Sequence, residues 1–358
     1  MEFKYSVVIP TFNEIRDLEV TVAMAWASEP APHEIIVVDD QSDDPVSERL
    51  LSFPDVKVVR PPKRLGAGPA KRFGAEMATG DVIVLMDSHM RMPHNWLEQA
   101  DEAIDNNPNS IFCAACRNFK GTWMGCGARF SRTTSRGSPD IFLGRNWIDR
   151  GDVKTVDRCP CLLGGCYFIP KHIWTHLQGI NPLLSGWGYG EQDLSIRAWL
   201  FGYEVRRMNG LCIPHRFQKD MHKRKPGITK MSTWHNQFNG MVVAASLFED
   251  GVFERLFAPY FKQTAGSDSV LAFEEVIEEV NDFRAYVQGS RIYSDEELHA
   301  LCNYRLPTPA EQQSRVDAVL SRKAKDNKKR RQESRREEGC AGCTDEVPSV
   351  VDQVEIIS

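Results

Sequence analysis

An aspartate and a histidine one residue apart, in Asp87-Ser88-His89, follow directly on the apolar run Val82-Ile83-Val84-Leu85-Met86. A carboxylate and an imidazole at that spacing can face one divalent cation, and the mixed oxygen and nitrogen pair suits Mn²⁺ better than Ca²⁺. An ion held there is suited to bind the diphosphate of a nucleotide and to stabilise it as it leaves. Two more polar sets follow apolar runs of the same kind. Pro10-Thr11-Phe12-Asn13-Glu14 comes after Tyr5-Ser6-Val7-Val8-Ile9, and Asp39-Asp40 after Ile35-Ile36-Val37-Val38. Acidic groups at several strand ends are costly unless they meet a ligand, a metal or hydrogen-bond donors. Together they describe a nucleotide-plus-metal site.

These groups meet only if their strands lie side by side. The runs are short, rich in β-branched residues and bounded by Gly, Pro and Asp, which predicts strands over 5–10, 34–38, 56–59 and 81–86. Helical patterns over 15–28 and 69–79 alternate with them, and alternation with short connections predicts a parallel sheet with right-handed crossovers. In such a sheet the C-terminal strand ends form one rim, where ligands bind. Further on, 110–114, 163–169 and 204–207 read as strands, and 193–201, 274–287 and 295–304 as helices. The stretch Gly121–Asp157 has no clear period and reads as a loop region facing the site or its acceptor. No G-x-G-x-x-G follows the first strand, which excludes a dinucleotide-binding turn, and Gly66–Arg72 resembles a P-loop only in composition.

The chain has 358 residues, 42% hydrophobic and 26% charged, with a formal net charge of −5. That balance announces neither a nucleic-acid nor a membrane partner. No run of about 18 apolar residues predicts a membrane span. Glu2, Lys4 and an immediate strand do not form a signal peptide, so the expected location is cytoplasmic and the ten cysteines are expected to be reduced. Cys113-x-x-Cys116 and Cys340-x-x-Cys343 have zinc-ligand spacing, but the first pair is expected to pack within the sheet. His172, His176, His222 and His235 have no fixed partners in the sequence, and Trp123, Trp147, Trp187 and Trp234 are expected mostly to pack. From Ser321 a basic run to Arg336 precedes a Gly/Cys stretch and an acidic end, which predicts a solvated or disordered tail. The expected organisation is a catalytic domain over 1–225, a helical extension over 226–320 and the tail over 321–358.

The order V-V-I-P-T-F-N-E, I-I-V-V-D-D-Q-S-D and R-L-G-A-G-P-A-K-R-F-G-A-E-M-A-T-G-D-V-I-V-L-M-D-S-H resembles the nucleotide-sugar half of the GT-A glycosyltransferases. It is similar above all to family 2 and to the polypeptide N-acetylgalactosaminyltransferases. L-L-G-G-C-Y-F-I-P-K-H-I-W, W-G-Y-G-E-Q-D-L-S-I-R-A-W-L-F-G and P-H-R-F extend the resemblance, which covers about residues 5–218. It implies an α/β fold with a mostly parallel sheet flanked by helices, a nucleoside-diphosphate sugar donor (a UDP-sugar first), and Mn²⁺ or Mg²⁺. It implies that Pro10, Thr11 and Glu14 line the base and ribose pocket and that Asp39 bonds the base. Arg64 and Arg72 flank the helix facing the nucleotide and are candidates to meet phosphate. Asp87, His89 and His215 are the implied metal ligands. Gly164-Gly165 would admit the donor sugar against bare backbone, and Trp187-Gly188 would lie on a flexible loop over it. The catalytic base falls on Glu191 or Asp193, the second of which also suits a helix start.

The implied reaction is hexosyl or N-acetylhexosaminyl transfer to a hydroxyl of a glycan, a protein or a hydroxylated nucleic-acid base such as one in DNA. The basic segments His222–Lys225 and Arg322–Arg336 are what bring nucleic acid into consideration. Two rivals differ in class: a nucleotidyltransferase acting on sugar phosphates, and a non-catalytic nucleic-acid-binding protein with a degenerate transferase domain. The first needs a Gly-rich loop with a basic residue after strand one, where this chain has Thr11-Phe12-Asn13-Glu14. The second predicts loss of the metal set, yet Asp87, His89 and His215 are all present.

Overall fold

The structure is a computed structural model that describes residues 3–44, 46–50, 52–53, 55–133, 139–217, 233–258, 266–302, 308–318, 320–321 and 324–325. His222–Lys225, the tail beyond 325 with Cys340 and Cys343, and the side chain of Trp234 lie outside the described residues.

Strands β1 (Tyr5–Thr11), β2 (Glu34–Asp39), β3 (Val56–Val59) and β4 (Val82–Met86) pair in parallel, in the order β3-β2-β1-β4. Helices α1 (Ile15–Trp26) and α2 (Ala67–Ala75) make two of the crossovers. The alternation of side chains along each strand builds two cores. Val8, Ile36, Val38, Ile83 and Leu85 face one side, and Val7, Ile9, Val37, Val82 and Val84 face the other with Leu18 and Val22 of α1 and Trp96 of α3 (Trp96–Asp105). Gly74 lets α2 press onto the sheet, since a methyl group there would sit 2.5 Å from Val8 and 2.7 Å from Val38.

Beyond β4 the sheet changes character. After β5 (Ser110–Asn118), residues read as loop form a long antiparallel hairpin of β6 (Met124–Thr133) and β7 (Pro139–Asp149), followed by the short β8 (Val156–Arg158). The period of two is real but masked in sequence. Cys126, Ala128 and Phe130 are buried on one face, while glycines and polar residues occupy the positions between. β9 (Cys166–Pro170) inserts antiparallel between β4 and β5. β10 (Glu204–His215) runs parallel to β5 and is longer than its sequence suggested, because an irregularity between Met208 and Cys212 carries the chain on to His215.

Helix α4 (Lys171–His176) follows β9, and α5 (Gly190–Leu200) begins three residues before the expected start at 193. Helices α6 (Thr233–Leu247), α7 (Asp250–Leu256), α8 (Asp268–Glu274), α9 (Ile277–Ser290) and α10 (Asp295–Cys302) follow. Met241 and Val242 of α6 and Val280 and Val287 of α9 join the same apolar core as Leu194 and Ala198 of α5. No helix among the described residues is long and apolar enough to cross a membrane.

Candidate active site

β4 ends at Met86 and delivers Asp87, Ser88 and His89 to the rim. The end of β10 meets them there, through a bridge between Met90 and His215, with Arg91 N donating to the Pro214 carbonyl at 2.9 Å and Arg216 N to that of His89 at 3.2 Å. This backbone pairing closes a separation of 126 residues: His89 Nε2 lies 3.1 Å from His215 Nε2. His215 Nε2 lies 3.3 Å from Asp87 Oδ2, and all three ligand atoms fall within 4.8 Å of one another. Two ligands at right angles about 2.1 Å from an ion stand about 3 Å apart, so the spacing fits a first-row divalent cation. Among the described residues this is the only group of three such donors. Cys113 and Cys116 are buried free thiols.

The surroundings set the protonation of the trio. Glu14 Oε2 lies 2.8 Å from His89 Nδ1 and also accepts the Ser88 hydroxyl. A proton on Nδ1, held by the Glu14 carboxylate, leaves Nε2 free for a metal. Burial alone would lower the His89 pKa, but the hydrogen bond and charge of Glu14 outweigh it and raise it; burial lowers that of His215. His215 Nδ1 is buried without a partner, so no residue there does for it what Glu14 does for His89. Burial pushes the Asp87 carboxyl up, but Lys71 and the two imidazoles hold it well below the usual carboxylate range. Lys71 Nζ is 2.6 Å from Asp87 Oδ1. This lysine was missed in the sequence, although it lies on the buried stripe of α2 with Ala70, Gly74 and Ala75. A cation on an apolar stripe is itself the signal, because it needs a partner.

Gly164 and Gly165 wall the trio on one side with φ of +136° and +78°. A methyl group on Gly165 would sit 2.7 Å from Asp87 Oδ2 and 3.2 Å from His215, so only glycine fits between backbone and ligands. On the other flank, Phe217 stacks edge-on against His215 with Trp123 and Trp147 beside it.

The nucleotide-side candidates divide. Pro10 and Thr11 are buried within β1, and Thr11 pairs in register with Asp39. Asp39 is 1% exposed: Oδ1 accepts the Ser42 N–H, and Oδ2 is 2.5 Å from Arg60, whose side chain is 39% exposed. Arg60, also unforeseen, is thus the open end of this pair. Asp40 accepts the Leu65 and Gly66 N–H groups. Arg64 stacks on Phe12, 3.6 Å from the ring centre. Arg72 is not brought to the rim: it donates to the Gln178 and Ile180 carbonyls and pairs with Glu76. Glu14, expected in the base and ribose pocket, is bonded to His89 and Ser88.

The two candidate bases have opposite surroundings. Tyr189 takes a left-handed φ of +65° and turns the chain into α5, whose first turn carries both acids. Glu191 is partly open, 3.0 Å from the Tyr167 hydroxyl and 3.4 Å from Arg145. Asp193 is fully buried; it pairs with Arg197 and accepts from Asn181 at 3.1 Å, while Arg197 also bonds the Leu177 and Gly179 carbonyls. Trp187 is exposed, and its loop is tied to α6: Asn239 accepts the Ser185 N–H at 2.8 Å and donates to the carbonyls of Ser185 and Gly188.

Known proteins share this architecture. Residues 6–148 match the family model described as Glycosyl transferase family 2. The rat polypeptide N-acetylgalactosaminyltransferase 5 is 29% identical over 210 residues, covering 53% of this chain and 22% of that protein. The human polypeptide N-acetylgalactosaminyltransferase 10 is 25% identical over 242 residues, covering 62% of this chain and 39% of that protein. The crystal structure of GalNAc-T7 with UDP, GalNAc and Mn²⁺ superposes with a TM-score of 0.59 at 18% identity, over 83% of this chain and 56% of that one. The fold is therefore GT-A. Over residues 6–148 the chain is similar to family 2 glycosyltransferases, and more broadly it resembles the catalytic domains of polypeptide N-acetylgalactosaminyltransferases; its matches span well under half the length of those two relatives.

Proposed function

We propose that this chain is a divalent-metal-dependent glycosyltransferase that moves a sugar from a UDP-sugar to an acceptor hydroxyl. The observation that carries the reading is the convergence of Asp87, His89 and His215 on one point of a GT-A rim, against bare backbone at Gly165. The relative solved with UDP, GalNAc and Mn²⁺ supports the choice of nucleotide and ion. A cation bound to the trio would neutralise charge on the leaving diphosphate. Glu14 would fix the tautomer of His89. Arg60, held by Asp39, would meet the nucleotide from the far end of the rim, and Glu191 would accept the acceptor's proton. Asp193, saturated by Arg197 and Asn181, would hold the start of α5 in place.

The donor sugar, hexose or N-acetylhexosamine, and an acceptor that is a glycan or protein complete the proposal, with residues 1–225 as the catalytic unit. A hydroxylated nucleic-acid base is the lesser reading, because it rests on the basic composition of His222–Lys225 and Arg322–Arg336 alone. The test is a panel of UDP-sugars incubated with the protein and Mn²⁺, with UDP release followed. Release that stops with a chelator is expected. No release from any UDP-sugar would overturn the proposal, and formation of a nucleotide-sugar from a sugar phosphate would favour a nucleotidyltransferase instead.

A further inference from the structure

Tyr167 has a place in this site that neither its residue type nor its position on a buried strand suggests. It lies in β9, paired with Leu85 of β4 and Cys113 of β5, so its backbone is clamped between two strands at the middle of the sheet. Its side chain is buried, and its hydroxyl has partners on both sides. It donates to Glu191 Oε1 at 3.0 Å and accepts the Gly165 N–H at 3.3 Å. Gly165 is the residue packed against Asp87 and His215. Burial, reinforced by the nearby carboxylates, pushes the phenol well above its ordinary pKa, so it stays a hydrogen-bond donor. Arg145, reaching in from β7, holds the other oxygen of Glu191 at 3.4 Å. Glutamate has three side-chain torsions, and without such anchors its carboxylate would sample several positions.

We propose that Tyr167 is a positioning residue: it fixes the Glu191 carboxylate relative to the Asp87, His89 and His215 cluster through one hydroxyl shared with the Gly165 backbone. The inference rests on the proposed role of Glu191 as the proton acceptor. A phenylalanine would fill the same space and pack equally well; only the link would be lost. Misplacing a reacting group by about 1 Å can cost roughly a hundredfold in rate.

The test uses the full chain, Mn²⁺ and whichever UDP-sugar the wild type hydrolyses fastest, with water as acceptor. Tyr167→Phe is expected to lower kcat by about tenfold to a hundredfold, while KM for the UDP-sugar and calorimetric affinity for UDP with Mn²⁺ stay within about twofold. Glu191→Asp, which draws the carboxylate back by one methylene, should also lower kcat. The double variant should then be no slower than the slower single one, because both break the same link. Unchanged kcat in Tyr167→Phe, losses that multiply in the double variant, or a loss that appears in UDP affinity would each overturn the positioning role. Glu191→Gln separates the two ideas. If it retains full turnover, the proton-acceptor reading falls and the link with it; if it abolishes turnover while Tyr167→Phe is normal, only the link falls.

Discussion

Two carboxylates, Asp193 in the first turn of α5 and Asp87 just past the end of β4, have surroundings that could hardly differ more. Asp193 is fully buried, and Arg197 and Asn181 meet both of its oxygens; Arg197 in turn satisfies two backbone carbonyls. Nothing is left over to bind a ligand. Asp87 sits at an open rim with 27% of its side chain exposed, beside two imidazole nitrogens 3.1 Å apart. Lys71 pairs with one of its oxygens, and the other lies beside His215 Nε2, where neutral imidazoles could share a cation with it. A saturated polar cluster is structure; an unsaturated one is a binding site. Glu191 and Asp39 lie between these extremes, each partly tied and each next to an arginine.

Asp193→Ala is the largest expected effect on the structural side. Removing one partner of a buried ion pair strands the other, at a cost of about 3–5 kcal/mol, so thermal or denaturant unfolding should show a clear loss of stability. The fraction that remains folded should keep measurable turnover, lowered less than by Glu191→Gln, because Asp193 acts only by holding the start of α5. A stable Asp193→Ala protein that is catalytically dead would move Asp193 to the functional side of the comparison.

Glu14→Gln probes the open cluster through its outer contact. The hydrogen bond that fixes the His89 tautomer is weakened, and Mn²⁺ affinity should fall by about 10-fold to 100-fold with little change in unfolding temperature. Equal Mn²⁺ affinity in calorimetric titrations of the two proteins would mean that Glu14 serves only to hold α1 against Ser88.

The smallest effect should come from the intermediate pair. Arg60→Ala and Asp39→Ala should each weaken UDP binding by about tenfold, the size of one charge-assisted hydrogen bond, because Asp39 acts by holding Arg60. Should Asp39→Ala abolish UDP binding while Arg60→Ala leaves it intact, the aspartate itself meets the base.

What was legible in the sequence was local. The strand-end acids, the Asp87-x-His89 pair and the alternating strands and helices all follow from spacing within a few residues. His215 was reachable only through the resemblance, since 126 residues separate it from His89. The contacts that sort the candidates were not legible at all. Lys71 with Asp87, Arg60 with Asp39 and Tyr167 with Glu191 each join different elements, and only the register of the sheet brings them together. The hairpin of β6 and β7 was read as loop because glycines hide its period of two, and with it went Arg145. Burial, likewise, is what separates Glu191 from Asp193, two neighbours that look alike in the chain.

The central claim is that Asp87, His89 and His215 hold one divalent cation, and Mn²⁺ titration followed by electron paramagnetic resonance tests it most directly. The full-length protein with UDP should take up a single Mn²⁺ per chain. His215→Ala and Asp87→Asn should each lose at least about a hundredfold in affinity while remaining folded by circular dichroism. Undiminished Mn²⁺ uptake in both variants would contradict the account.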